Sequence, residues 1–119
     1  MKQIRVIVLK ANGTMIEKRI DANIHSYYKE LNCDVIDIVT LPLGKKKFDF
    51  IIDDEGKLKE HIVNFYIVKG NKIVDYIAND CIICNFKHTE NGTIETSLTD
   101  EDIKTIIKWR LSNAMFLEI

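Results

Sequence analysis

Apolar and polar positions along this chain change their period several times, and each change marks an element. From Ile4 to Lys10 the residues are almost continuously apolar, the pattern of a central strand covered on both faces. Asn12-Gly13 predicts a type I′ turn, and Met15 to Ile20 alternates apolar with charged, so the first two strands form a hairpin. Ile24, Tyr27, Tyr28 and Leu31 then fall at helical spacing. Asp21 is placed to cap that short helix, and Asn32 to end it in a left-handed conformation.

Val35 to Leu41 predicts a third strand, stopped by Pro42 and turned by Leu43-Gly44. Phe48, Phe50 and Ile52 alternate on a fourth, which Asp53-Asp54-Glu55-Gly56 ends. Phe65–Val68 and Ile73–Ile77 predict short strands around Lys69-Gly70-Asn71, while residues 58–64 fit irregular chain or one helical turn. Cys81–Phe86 is a further apolar strand, and Glu90-Asn91-Gly92 turns into Thr93–Thr96. The strongest local signal is Leu98-Thr99-Asp100-Glu101-Asp102-Ile103. Thr99 can cap the first turn while Asp102 reaches back to it, Leu98 and Ile103 can close a hydrophobic staple, and three carboxylates meet the positive end of the helix dipole. The helix runs from Asp100 to about Asn113, with Ile103, Ile106, Ile107, Leu111 and Ala114 as its core stripe. Hairpin, helix, several strands and helix, without a linker, predict one α+β domain over residues 1–119. Its sheet is expected to be mixed or mainly antiparallel, with a short N-terminal helix and a capped C-terminal one.

Composition narrows the function classes. The chain has 119 residues, 46% hydrophobic and 29% charged, which is enough to bury a core without staples. A net charge of −1 gives no basic field for phosphates, so nucleic acid is a poor fit, and it is too small for a protein that imitates nucleic acid by bulk charge. The longest apolar runs are too short to span a membrane. Arg5 interrupts the N-terminal apolar run and no small-residue cleavage site follows, so no secretory signal is expected. Three cysteines, an odd number, then predict reduced thiols and a cytoplasmic location. No cofactor fingerprint is present, and no cofactor is expected.

Several groups have the residue types for chemistry. Cys81-Ile82-Ile83-Cys84 is spelled like a redox or metal pair, but on a strand residues three apart point to opposite faces, which predicts two separate buried thiols. Asp53-Asp54-Glu55 is the densest acidic group; joined in space by Asp75 or Asp80 it would supply an acid–base or divalent-cation site, and otherwise it is a solvated turn. Lys45-Lys46-Lys47 is either a phosphate or acidic-partner contact or a solvated hairpin tip that guards a sheet edge. His25, His61 and His88 are scattered without ligand spacing. Trp109 and Phe116 fall together on the side of the last helix away from its core stripe. Two readings stand side by side: an exposed aromatic pair that buries itself in a homodimer, or a chain that breaks near Asn113 and folds back over Trp109.

The order of landmarks resembles a known family. Ile4-Arg5-Val6, Val35-Ile36-Asp37-Ile38-Val39, Asp54-Glu55-Gly56-Lys57-Leu58, Asn64, Asp75-Tyr76-Ile77, Cys81–Phe86 and Ser97-Leu98-Thr99-Asp100-Glu101 follow as they do in the family catalogued as domain of unknown function 3846. The resemblance covers nearly the whole chain. The chain departs from the pattern at His61-Ile62-Val63, where a Leu-Pro step is expected, and at Asn79-Asp80, where a glycine is expected. The resemblance implies a small α+β accessory protein of phages, plasmids and integrative elements, and it transfers no catalytic residue. The expected function is therefore non-catalytic binding of a protein or small ligand, with modulation of a host process as its purpose. A small enzyme using the carboxylates above is the alternative.

Overall fold

The computed structural model describes residues 2–113 and 115–119, with Asn113 described through its backbone alone. Strand β1 (Gln3–Leu9) pairs antiparallel with β2 (Met15–Asp21), Leu9 opposite Met15. The hairpin is as expected but its turn is not type I′. Gly13 has positive φ and Asn12 does not; Asn12 instead accepts the Thr14 N–H at 2.9 Å through its side chain. Helix α1 (Ile24–Leu31) ends at Asn32 with φ 50°, as its sequence predicts. Its N-terminal cap is Asn23, whose Oδ1 accepts the Ser26 N–H at 2.8 Å, rather than Asp21, which remains the last residue of β2.

β3 (Ile36–Leu43) and β4 (Lys46–Asp53) form the second hairpin. β3 continues through Pro42 because it is an edge strand, where a missing N–H on the outer side costs no ladder bond. A single 3-10 turn at Gly56–Leu58 precedes β5 (Val63–Lys69) and β6 (Lys72–Ala78), joined through Gly70 and Asn71, both with positive φ. β7 (Cys81–Thr89), β8 (Gly92–Thr96), helix α2 (Asp100–Asn113) and β9 (Phe116–Glu118) complete the chain.

The strands form two sheets. The larger runs β2-β1-β7-β4-β3, with β8 on β7, and all of its pairings are antiparallel. The smaller runs β6-β5-β9, with β9 parallel to β5. Two apolar cores follow from β1 and β7 being covered on both faces. Ile4, Val6, Val8, Ile82 and Cys84 pack beneath α1 with Tyr27, whereas Ile7, Leu9, Cys81 and Ile83 face the small sheet and α2. The continuous apolar runs of these strands are the sequence record of that double burial. The protein is an α+β domain, with two α-helices and nine strands among the described residues.

α2 is set down on the larger core by its first turn. Thr99 N–H donates to Asp102 Oδ2 at 2.8 Å and Asp102 N–H to Thr99 Oγ1 at 3.1 Å, the reciprocal cap that the sequence predicts. Leu98 and Ile103 are both buried around it. The buried face of the helix is rotated from the expected stripe. Ile103, Ile106, Trp109 and Arg110 point inward, while Ile107 and Leu111 are exposed, Leu111 to 76%. Ala114 lies outside the described residues. The rotation follows from Asp102 and Arg110. Both are buried by polar partners, so the inward face is decided by hydrogen bonds as well as by hydropathy.

Candidate functional site

Where the two sheets and α2 come together the surface opens into a groove of about 1000 Å³. Its floor is apolar, with Leu43, Phe48, Trp109 and Leu117. Val68, Ile73 and Phe116 of the small sheet stand on one side, and α2 presents Glu101, Thr105, Lys108 and Ser112 on another. The β3–β4 turn closes the third side with Gly44, Lys45 and Lys46. Gly44 has a φ of 67°, and a Cβ there would lie 3.8 Å from the Thr105 methyl group, so the turn is seated directly against α2.

Asp102 holds this arrangement. Its carboxylate accepts Asn85 Nδ2–H at 2.7 Å and Lys46 Nζ at 3.0 Å beside the Thr99 cap, joining α2 to β7 and to the β3–β4 turn. Burial would raise its pKa, but the Thr99 N–H, Lys46 and Asn85 together outweigh burial and hold it below the ordinary carboxylate range. The basic tip is thus divided. Lys46 is spent on Asp102, while Lys45 and Lys47 remain exposed.

The aromatic pair of α2 is not an exposed pair. Trp109 is 9% exposed; its ring meets Phe65 edge-on at 5.2 Å and its indole N–H donates to the Phe116 carbonyl at 2.9 Å. The chain does fold back, as β9, and covers Trp109 from inside the same molecule. Phe116 is 49% exposed and stacks on Tyr66 at 5.9 Å. Tyr76, Tyr66 and Phe116 are register neighbours across β6, β5 and β9, and His61 stacks on Tyr76 at 5.6 Å, so one row of rings crosses the outer face of the small sheet.

The five carboxylates nominated from sequence do not gather. Asp53 accepts Lys59 Nζ at 2.7 Å and the Glu55 N–H at 2.9 Å, while Asp54 and Glu55 are exposed. Asp75 is bound by Lys57, which holds its pKa below the ordinary value. Asp80 takes Lys10 at 3.2 Å and the Ala11 N–H at 2.9 Å. Of the five, Asp53 and Asp80 line a second, smaller concavity of about 510 Å³, each with its own lysine. Among the described residues, no group of three or more His, Cys, Asp or Glu side chains is placed to hold a metal ion.

The thiols sit as strand geometry requires. Cys81 belongs to the core under α2 and Cys84 to the core under α1; both are free, and burial pushes both pKa values well up. His25 meets Tyr28 edge-on, and His88 Nδ1 lies 2.9 Å from Thr93 Oγ1. Asn64 stood in the sequence only as a landmark of the family resemblance, without a structural role. It is fully buried and donates from Nδ2 to the Leu9 carbonyl at 2.9 Å and the Asn79 carbonyl at 2.8 Å, tying β5 to the end of β1 and to the β6–β7 turn. An asparagine between apolar residues was the local signal of that role. Among the described residues no helix is long and apolar enough to cross a membrane.

No curated protein matches this chain, and no solved structure matches it either. The family described as domain of unknown function (DUF3846) matches residues 4–110, from the start of β1 into the last turns of α2. β9, which covers Trp109, lies beyond that match. Its capped α2, doubly covered β1 and buried Asn64 are therefore those of a family member: the chain belongs to the DUF3846 family.

Proposed function

We propose that this chain is a non-catalytic binding protein, acting in the cytoplasm for a mobile element of phage or plasmid type and modulating a host process through what its groove holds. The observation that carries the reading is the groove itself: about 1000 Å³ with an apolar floor and three walls, two of which, α2 and the β3–β4 turn, are tied together by Asp102 and Lys46. A large apolar concavity edged by a few polar groups is the usual form of a binding site. The alternative of a carboxylate enzyme has less support, because only Asp53 and Asp80 of its five acids share a concavity and each of these two is paired with its own lysine.

Capture from extract of the natural host tests the reading when run in parallel on wild type and Thr105→Arg, which places a long cation in the groove from the half-exposed side of α2. A component retained by wild type and lost by the variant is expected. Identical captured sets, or turnover of a defined substrate by the purified protein, would remove the proposal.

A further inference from the structure

We propose that β9 is the docking edge for a fourth strand, supplied by a partner as an extended peptide with apolar residues at alternate positions and an acidic residue beside them. This rests on the groove being the binding site and states what enters it. The register decides which way the β9 backbone faces. Tyr66 N–H donates to Met115 O at 2.6 Å and Ile119 N–H to Val68 O at 2.9 Å, with Leu117 opposite Ile67. In a parallel ladder that turns the N–H and C=O of Leu117 toward β5 and those of Phe116 and Glu118 away from it. The Phe116 carbonyl takes the Trp109 indole N–H, so this outer edge faces α2 and the groove. Among the described residues the Phe116 N–H and both backbone groups of Glu118 have no strand beside them, since β9 is the end of the order β6-β5-β9.

α2 touches β9 at Trp109 and the β3–β4 turn at Asp102, and the groove opens between those two contacts. A ligand there meets an apolar floor and a row of peptide donors and acceptors together, which an extended backbone satisfies and a purely apolar body does not. Period-two side chains would turn alternately onto Phe48, Trp109 and Leu117. Charge supplies the remaining preference. Lys46 and Asp102 neutralise each other at 3.0 Å, and Glu101 lies in the first turn of α2, where the helix dipole offsets it. Lys45 follows Gly44 against Thr105, and Lys108 is one turn further along the helix; neither has an ion pair among the described residues, so they favour a carboxylate on the α2 and turn side of the groove, whose remaining acid, Glu118, stands on the β9 side. The end strands of the larger sheet are less suited: β3 carries Pro42, and β2 presents Glu17, Lys18 and Arg19 to solvent.

Selection of short random peptides on the full chain, counter-selected against Thr105→Arg, tests this. The enriched peptides should alternate apolar residues and carry acidic rather than basic ones. They should shift the emission of Trp109, the single tryptophan, and slow exchange of the Phe116 and Glu118 amides by about tenfold or more. Lys45→Glu, on the exposed turn away from the core, should weaken them several-fold. Groove-dependent peptides that leave the two amides unprotected overturn strand addition, as do basic sequences or the absence of any enrichment. Anilinonaphthalene sulfonate separates the two levels. If the dye binds wild type but not Thr105→Arg while peptides fail, the strand falls and the groove stands; if neither binds, both fall.

Discussion

Trp109 shows what a single side chain decides here. A helical wheel drawn on hydropathy places it opposite Ile107 and Leu111, yet its ring packs on Phe65 and its N–H is satisfied by a carbonyl seven residues on. Its removal therefore concerns the core and not an intermolecular surface. Trp109→Ala is expected to cost about 3–5 kcal/mol, and Trp109→Phe, which keeps a ring but strands the Phe116 carbonyl, about 1–2 kcal/mol. Urea titration followed by circular dichroism measures both; a Trp109→Ala midpoint equal to wild type would return the residue to the surface. Asp102 sets the acid limb of stability. Its folded pKa lies below the unfolded value of about 3.9, so its stabilisation is complete above that value and is lost as pH falls through the lower folded one. Asp102→Asn should be less stable near neutrality and lose less between about pH 4 and pH 2, because the charge-linked part is gone. Denaturation midpoints across that range check the sign; parallel curves for the two proteins would show that Asp102 does not carry the linkage.

At the scale of elements, legibility followed the range of the interactions. The Thr99–Asp102 cap was readable because both partners lie within one turn, and β1 was readable because double burial leaves a continuous apolar run. The opposed faces of Cys81 and Cys84 followed from strand period alone. The cap of α1 was misplaced by two residues because Asp21 and Asn23 are both good capping types, and only the pairing of Asp21 with Gln3 settles the strand end. Asn23→Ala should accordingly cost about 1 kcal/mol of stability and Asp21→Asn a few tenths. Thermal melts that rank the two in the opposite order would restore Asp21 as the cap. That the chain folds back over Trp109 was one of two readings of the sequence, but the strand β9 and its pairing with β5 were not legible. Three residues carry too little period to register, and their partner on β5 lies some fifty positions earlier in a parallel pairing that no turn announces. The groove was hidden for the same reason, since its walls come from β3–β4, the small sheet and α2. Its charged residues were visible singly, as with Lys45 to Lys47 and Asp102, without their arrangement.

Across the whole molecule, the two sheets cohere through side chains. No strand of one pairs with a strand of the other among the described residues, so Phe65, Ile67, Ile77 and Leu117 hold the small sheet by packing against Phe48, Phe50 and Ile83, with α2 closing the end. Such an interface depends on volume, which makes the short terminal strand more important than its length suggests. Leu117 is 1% exposed, and β9 also supplies the acceptor for the Trp109 N–H and one rim of the groove. Leu117→Ala should cost about 2–4 kcal/mol, and removal of residues 116–119 more than that, because truncation adds the stranded indole N–H to the lost apolar contact. Opening of this layer also wets the tryptophan, so the truncated chain should show red-shifted emission in native buffer while the core beneath α1 keeps its strand signal. Guanidine titration with both readouts makes the comparison. A truncated protein with unchanged midpoint and emission would mean that the first 115 residues close the core unaided, and that β9 serves the groove without serving the fold.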